Sequence, residues 1–579
     1  METLPRNVWK RLSRLFPADG TEAALAAELF REYESDGALD RPAAEVLKAP
    51  LSVTADFFRR VALMHSAESP ILRRRDTRWM SEYDYTLVNV RAAGLPGRPG
   101  TFLSAAMFLA TLRTRGIVLA PVTKGPSEDV RDLESHAVLR DELSDLGALA
   151  AGVGPEVQMA AFCEAAHLLG LALGCDLDYR VDAYAAVVVN RPELFLWTKD
   201  GRCPMNEGEQ DGLRDEVRAR IASIRKAGAS ADREVYASAL AVAGLAPLPS
   251  VDGSGRTPLA LRLAAEGVLG EHREEAVAYW GRVFDLWRDR YGFDFLVLRG
   301  TDGDRVGGAE MPAASETPDR SLVRKAADAA RKAGVRRNIG VAAEGDGFEV
   351  ESYGVQGVDL VIDEDDELKA DIAWFGRAFS LDEKLRRVNL GRKLRFSVPV
   401  IVDPGAKDSR PRRERALMKR FAARFLGAGP SRRPLLETMG ALEGAWGYRV
   451  ALENAASMGW MPDIEDANVA RSIERVAARY SDMILSGERL DKHVGNRCAW
   501  WAVRSKSGLL IAVTSVENED LLPPEPLRID YASYLKEADA LSVLEYDFRG
   551  DRGLLQLSAD TVIDIEAIPY RGFRLYVVT

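Results

Sequence analysis

The chain has 579 residues, of which 47% are hydrophobic and 29% charged, a composition typical of a soluble globular protein with two to four domains. Its formal net charge of −10 argues against nucleic acid as a main partner, because phosphate binding needs a basic surface. No apolar run reaches the roughly 18 residues that cross a bilayer, so we expect no membrane partner. The four cysteines form no metal-like pair, so we expect reduced thiols, a cytoplasmic location and no metal or cofactor.

The N-terminal part of the chain has the pattern of helices. "TEAALAAELFREYES" combines a capping threonine with an apolar stripe at helical spacing, and "LSVTADFFRRVALMH" is similar. These segments predict an N-terminal helical extension over residues 1–84.

Beyond residue 84, short apolar strands alternate with long amphipathic helices, which is the pattern of βα units in a parallel sheet. Helices such as "SLVRKAADAARKAG" fit between most of the strands. Eight strands over this length predict an α/β fold, a (β/α)8 TIM barrel over residues 85–450 with an insertion after the third strand at about 181–270. The strand candidates are "TLVNV" (86–90), "GIVLAPV" (116–122), "LALGCDLDY" (171–179), "FDFLVLR" (293–299), "NIGVAAE" (338–344), "GVDLVID" (357–363), "RFSVPVIVD" (395–403) and "LLETMG" (435–440).

The C-terminal part has a different pattern. Residues 451–494 are predicted to form connecting helices. After them come short strands without helices between them, such as "ALSVLEYDF", "TVIDIEAIPY" and "FRLYVVT". They predict an antiparallel β-sandwich over residues 495–579.

Several of these segments, taken in order, resemble the α-amylase family, glycoside hydrolase family 13. "VQMAAFCEAAHLLGLALGCDLDYRVDAYAAVVVNRPELFLW" resembles the region of the third barrel strand, and "YGFDFLVLRG", "NIGVAAEG" and "FSVPVIVD" resemble strands four, five and seven. "RPLLETMGALEGAWGY" resembles the eighth-strand segment, and the C-terminal β domain takes the place of the family's domain C. The resemblance spans roughly residues 85 to 579.

The resemblance implies a set of catalytic carboxylates. Retaining cleavage of an α-glucosidic bond uses a nucleophile and an acid/base about 5 Å apart, and in this family a third carboxylate holds the distorted sugar. Glu344, at the end of strand five, corresponds to the acid/base, and Asp403, at the end of strand seven, to the third carboxylate. Each residue also has a plain structural interpretation: Glu344 as a surface residue entering a loop, and Asp403 as a turn former before Pro404.

The fourth strand departs from the family, which carries Arg-x-Asp there with the aspartate as nucleophile. Aligned without gaps, the nucleophile position holds Arg299; with Arg299 as the family's arginine, it holds Thr301, one residue short of Asp302. A local bulge would bring Asp302 into place. The simpler interpretation is that the nucleophile is absent and that Arg299 pairs with Glu344 or Asp403.

The third strand also departs from the family. Asp176 corresponds to the aspartate of the family's third-strand motif, but the histidine that ends this motif is missing, and Val402 stands where the family has a second histidine. Aromatic side chains in this region would stack on sugar rings or belong to the core. The predicted binding residues are Asp176, Asp178, Tyr179, Arg180, Arg299 and Trp197.

Three functions remain open. The first is a catalytically degenerate, α-amylase-like protein that binds a carbohydrate or sugar-like small molecule. The second is an active α-glucosidase or transglycosylase, with Asp302 as a relocated nucleophile or with Glu344 and Asp403 in an inverting arrangement. The third is a non-catalytic scaffold or regulatory partner. A nucleotide enzyme is not expected, because the sequence has no P-loop or dinucleotide fingerprint, and the oligomeric state is left open.

Overall fold

In the computed structural model, most of the region after residue 66 is described. The N-terminal helical extension predicted over 1–84 therefore lies largely outside the described residues. The described residues are 67–93, 100–109, 112, 114–124, 135–150, 152–204, 206–228, 233–249, 256–258, 264–265, 268–269, 274–299, 339–345, 353–354, 357–363, 376, 379–380, 400–402, 421, 424–425, 436–438, 464–494, 498–515, 527–534, 543–547, 550–554, 562–565, 568 and 573–579.

The chain divides into two compact units. Unit 1 comprises residues up to 77, 88–345 and 351–358, and unit 2 comprises 78–87, 346–350 and 359–579. The barrel-type strands are β1 (Tyr85–Val88), β2 (Gly116–Leu119), β3 (Ala172–Asp178), β4 (Phe295–Arg299), β5 (Gly340–Glu344), β6 (Leu360–Asp363), β7 (Val400–Val402) and β8 (Leu436–Thr438).

Unit 1 contains a four-stranded parallel sheet in the order β2-β3-β4-β5. Every residue of β2, β3 and β4 is buried, as expected for parallel strands that are covered on both faces. Gly174 of β3 lies opposite Phe295 of β4, and a Cβ atom at position 174 would lie 2.2 Å from the Phe295 ring. The absence of a side chain at Gly174 therefore lets this aromatic ring pack directly on the neighbouring strand.

In unit 2, β1 pairs in parallel with β8, and β6 pairs in parallel with β7. Pairing of the first strand with the eighth is the arrangement that closes a (β/α)8 barrel, so these registers fit the predicted barrel. Arg424 donates to both carboxylate oxygens of Asp84, at 3.0 and 2.8 Å, and to Glu474 at 2.8 Å. This buried guanidinium ties the residue before β1 to a helix of the same unit.

Helices precede the first strand and occupy the connections between later strands. In unit 1 they are α2 (Phe102–Leu109), α3 (Leu146–Ala150), α4 (Pro155–Leu168), α5 (Ala186–Asn190), α6 (Glu207–Lys226), α7 (Arg233–Ala241) and α8 (Glu274–Asp285). In unit 2 they are α1 (Trp79–Glu82), α9 (Ile464–Arg479) and α10 (Ser481–Ser486). None of the helices among the described residues is long and apolar enough to cross a bilayer.

The segment between β3 and β4 contains the predicted insertion. Short antiparallel pairs join Arg180–Asp182 to Arg256–Pro258 and Trp197–Lys199 to Leu245–Pro247. The fully buried Gln210 of α6 donates to the Trp197 carbonyl at 2.9 Å and accepts from the Trp197 amide at 2.9 Å. These bonds fix α6 to the strand pair.

The C-terminal part of unit 2 is an antiparallel β domain. Its strands are β9 (Glu488–Val494), β10 (Cys498–Ser505), β11 (Gly508–Ser515), β12 (Leu527–Asp530), β13 (Val543–Asp547), β14 (Gly550–Leu554), β15 (Val562–Ile565) and β16 (Phe573–Val578). A six-stranded sheet in the order β9-β10-β11-β16-β13-β14 has one face on α9 and α10 and the other on the β12–β15 pair. The boundary predicted at residue 495 was wrong, because β9 already begins at Glu488 and pairs with β10.

All four cysteines are free thiols. Cys163 on α4, Cys175 on β3 and Cys498 on β10 are buried, and Cys203 is partly exposed. Burial raises the pKa of Cys163 and of Cys175 well above the usual thiol range, and it raises the pKa of Cys203 to about 11. These thiols therefore stay protonated at neutral pH.

Candidate functional site

Ionised side chains meet at the carboxyl ends of β3, β4 and β5 in unit 1. Asp176 and Asp178 lie two residues apart on β3, and the register places Arg299 of β4 beside Asp178. Glu344 ends β5, the neighbour of β4. Parallel pairing carries these side chains to the same end of the sheet, which is where barrel enzymes place their chemistry.

Arg299 and Asp176 form a buried ion pair. The Arg299 Nε atom lies 2.6 Å from each carboxylate oxygen of Asp176, and both side chains are 2% exposed. The contact is diagonal across the sheet, because Asp176 lies in register with Val297 rather than with Arg299. Charge-assisted bonds of this length in a water-excluded site hold the guanidinium in one orientation.

Glu344 is the partly exposed member of the site. Its Oε1 atom lies 3.9 Å from Nη1 of Arg299, beyond hydrogen-bond distance, and its side chain is 27% exposed. The Tyr353 hydroxyl donates to the Glu344 carbonyl at 3.2 Å. Of the two partners expected for Arg299, Glu344 is thus in weak contact and Asp403 lies outside the described residues; the ion pair described for Arg299 is with Asp176.

Asp178 binds two arginines. Arg180 donates through Nε and Nη2 at 2.8 Å each, and Nη1 of Arg256 lies 3.1 Å from Asp178 Oδ2. Burial raises the pKa of Asp178, but the hydrogen bonds and charge of Arg180 and the charge of Arg256 outweigh it and hold the pKa below its usual range. Asp178 is therefore an ionised anchor for two cations.

A buried histidine supports the same strand end. His136 Nε2 lies 2.7 Å from the Asp178 carbonyl oxygen, and His136 Nδ1 lies 3.1 Å from the Tyr279 hydroxyl. Burial lowers the pKa of His136 to about 4, so the ring is neutral at pH 7. A carbonyl only accepts, so Nε2 carries the proton and donates to Asp178, and Nδ1 accepts from Tyr279.

The aromatic residues near this region are mostly interior. Tyr179 is 1% exposed, with its ring centroid 4.7 Å from that of Trp280. Trp197 is fully buried and donates from Nε1 to the Pro192 carbonyl at 2.9 Å. The binding role predicted for Trp197 does not fit this position, because neither ring face is open to a sugar.

Tyr184, half-buried, has a left-handed φ of 64°, which is uncommon for a residue with a side chain.

Two of the predicted catalytic residues lie outside the described residues. Asp403 follows the last residue of β7, Val402, and Asp302 follows β4 by three positions. Their roles remain predictions. In the part of the chain that the structure describes, no three His, Cys, Asp or Glu side chains are grouped to hold a metal ion.

Sequence reasoning missed two contributors to the site. His136 contacts a residue 42 positions away, and Arg256 contacts one 78 positions away. The antiparallel pairing of Arg180–Asp182 with Arg256–Pro258 brings Arg256 to Asp178. A single sequence carries no spacing signal for either contact.

The comparisons with known proteins give structural neighbours. No family model and no curated protein matches the sequence. Similar solved structures include an α-amylase from Anoxybacillus (12% identity, 86% of this chain, 98% of that chain, TM-score 0.51) and an α-amylase from Geobacillus thermoleovorans complexed with acarbose (12%, 87%, 99%, 0.51). A noncanonic maltogenic α-amylase from Thermotoga neapolitana is also similar (14%, 86%, 99%, 0.50). At these identities the likeness establishes the fold, and the chain has the fold of the α-amylases.

Proposed function

We propose that the protein binds an α-glucan or small α-glucoside at the carboxyl ends of β3 to β5 and that the retaining mechanism is lost. Support for a sugar ligand comes from the α-amylase fold and from the acarbose complex of one structural neighbour. Support for the loss comes from β4, whose last residue is Arg299 and whose sequence, "FLVLR", contains no carboxylate.

The observation that carries this proposal is the Arg299–Asp176 pair. The described site contains the carboxylates of Asp176, Asp178 and Glu344 and the guanidiniums of Arg180, Arg256 and Arg299, so its formal charges sum to zero. Glycoside cleavage passes through a positively charged, oxocarbenium-like state that needs a net negative surrounding. The three arginines stay protonated, so they cancel the negative charge that would stabilise the oxocarbenium-like state. Their N–H groups remain as hydrogen-bond donors suited to sugar hydroxyls.

One observation favours a second candidate, an active glycosidase with Asp302 as nucleophile. Glu344 lies 3.9 Å from Arg299, beyond hydrogen-bond distance, and its side chain is 27% exposed. A carboxyl in that state is able to serve as general acid. In this alternative, Arg299 corresponds to the family's arginine and the nucleophile comes from the segment after it.

Turnover measurements separate the two candidates. The wild type, Asp302→Asn and Glu344→Gln are assayed on maltooligosaccharides and aryl α-glucosides, with the exposed Glu216→Gln as a matched control. We expect turnover at the level of the buffer blank for all four proteins, because without a nucleophile the covalent route is closed. Robust wild-type turnover that both site variants abolish and Glu216→Gln retains would establish the second candidate.

A further inference from the structure

A cavity of about 330 Å³ lies in unit 1, away from the strand ends described above. Its wall includes Glu164 and His167 of α4 and Gly292, three residues before β4. β4 runs from Phe295 to Arg299, so the cavity is at the amino end of this strand; the strand separates its two ends by about 13 Å at 3.3 Å per residue. In a barrel fold this end usually serves stability, and the fold alone does not explain a polar cavity there.

His167 is held at the cavity wall by Asp294. The fully buried Asp294 accepts from the Ser69 hydroxyl at 2.5 Å, from the Leu173 amide at 2.9 Å and from His167 Nε2 at 3.1 Å. Because a carboxylate only accepts, Nε2 carries a proton. The other ring nitrogen, Nδ1, has no hydrogen-bond partner among the described residues, and the His167 side chain is only 8% exposed.

Glu164 supplies the second acceptor. The residue is 6% exposed and lines the cavity. Its Oε1 atom accepts from the Ala67 amide at 3.0 Å, and Oε2 has no partner among the described residues. Oε2 is not among the oxygens that are sealed from solvent without a partner, so it is open to a donor that enters the cavity. Glu164 and His167 are three positions apart on α4, so their side chains lie on one face of the helix.

The charges around the cavity favour a cation. Arg290, the basic residue of the wall, is engaged by Glu156 outside it. Burial raises the pKa of Cys163, whose thiol is therefore neutral and adds no charge. Among the described residues no three-ligand group for a metal exists. Two acceptors with a buried negative charge match a group that carries several N–H donors and a positive charge.

We propose that this cavity binds a small organic ammonium compound, its –NH₃⁺ group donating to Glu164 Oε2 and His167 Nδ1. The ring of Tyr291 and the side chains of Leu72 and Ala160 line the rest of the cavity and provide contact for a short apolar body. This site is independent of sugar binding at the opposite strand ends.

Calorimetric titration of the full chain tests the proposal, with n-butylammonium chloride as the probe and 1-butanol as its neutral counterpart. We expect saturable binding of butylammonium and none of butanol at the same concentration. Glu164→Gln keeps an oxygen for the Ala67 amide and removes the charge, and we expect at least tenfold weaker binding. Glu68→Gln, which also lines the cavity but is exposed and paired with Arg73, is expected to stay within twofold of wild type.

A second variant guards against misfolding. Ala160→Leu fills the cavity without changing any charge, so it should abolish binding while the thermal midpoint stays close to that of the wild type. Absence of saturable butylammonium binding would overturn the proposal. So would equal binding of butanol, or unchanged affinity in Glu164→Gln or in a folded Ala160→Leu variant.

Discussion

Arg299 and Asp176 show what a buried ion pair costs when it is broken. The pair is 2% exposed on both sides, so neither charge has water available as a replacement partner. We expect Arg299→Leu to lower the free energy of unfolding by about 3–5 kcal/mol, because the Asp176 carboxylate stays behind in the interior after losing its arginine partner. Urea denaturation followed by circular dichroism measures this loss.

Two controls accompany that prediction. Asp176→Leu combined with Arg299→Leu removes both charges, so the double variant should be more stable than Arg299→Leu alone. Lys199→Ala breaks an exposed pair with Glu216 and should change stability by about 1 kcal/mol or less. A loss below 1 kcal/mol in Arg299→Leu would contradict the buried-pair interpretation.

His136 predicts a pH dependence of stability. Burial lowers its pKa to about 4 in the folded state, against 6.5 for an unperturbed histidine. Between these values the unfolded chain binds the proton more readily, so stability falls as the pH drops from about 6.5 to about 4. The loss is on the order of 3 kcal/mol at 1.36 kcal/mol per pKa unit.

The measurement compares wild type with His136→Gln at pH 7.5 and pH 4. Gln retains an N–H donor for the Asp178 carbonyl but does not titrate, so the pH-dependent difference isolates the imidazole. The pKa of Asp178 is lowered from 3.8, so its stabilisation is lost only below that pH and lies outside this window. Parallel pH profiles for the two proteins would rule out His136 as the source.

At the scale of elements, two glycines give opposite expectations for the same substitution. Gly508 lies at the turn between β10 and β11 with φ of 139°, and a Cβ there would lie 2.2 Å from the Val578 carbonyl oxygen. We expect Gly508→Ala to destabilise unit 2 by about 1–3 kcal/mol. Gly212 is exposed on α6 with open space around it, and Gly212→Ala should stabilise by about 0.5–1 kcal/mol. Thermal denaturation of both variants measures whether each substitution raises or lowers the stability of the fold.

Strands with strong apolar runs could be predicted closely, and polar ones could not. "LALGCDLDY" predicts a strand over 171–179, and β3 spans Ala172–Asp178. β1 ends earlier than predicted because the Asn89 side chain accepts from the Arg91 amide at 3.0 Å and turns the chain. β9, "ERLDKHV", was missed because an edge strand with charged residues lacks the apolar alternation of a half-buried strand.

For the site, the sequence predicts which residues lie at the strand ends but not which of their side chains pair with each other. The order of segments predicts Asp176, Arg299, Glu344 and Asp403 at one end of the sheet. The first three lie at the ends of neighbouring strands, and Asp403 lies outside the described residues. The partner of Arg299 depends on the diagonal register of β3 and β4, which spacing along one strand does not contain. His136 and Arg256 reach Asp178 through long-range packing for the same reason.

At the scale of the whole molecule, the α-amylase fold is kept at 12% identity to two of its structural neighbours. Buried parallel strands, glycine under an aromatic ring and capped helices determine such a fold through pattern rather than through particular residues. Catalytic motifs depend on particular residues instead, so the shared fold carries no information about them.

Ligand binding without turnover has a measurable effect on the whole chain. If maltotriose binds at a concentration 100 times its dissociation constant, it should stabilise the folded state by about 2.7 kcal/mol. We expect an increase in the thermal midpoint with maltotriose, with the sugar recovered intact afterwards. Sucrose at the same concentration is the control for a general solute effect. An unchanged midpoint at saturating maltotriose would argue for the scaffold function.

The placement of the four free thiols allows local unfolding to be measured in each unit from the rate of thiol modification. Cys163 and Cys175 belong to unit 1 and Cys498 to unit 2, and all three are shielded from reagents in the native state. An alkylating agent can modify them only while the surrounding structure is transiently open. The modification rate of each thiol therefore reports how often its surroundings unfold. Mass spectrometry of iodoacetamide-treated protein should find Cys203 modified first. The lag before the buried thiols react then gives separate opening rates for the two units, without any engineered label.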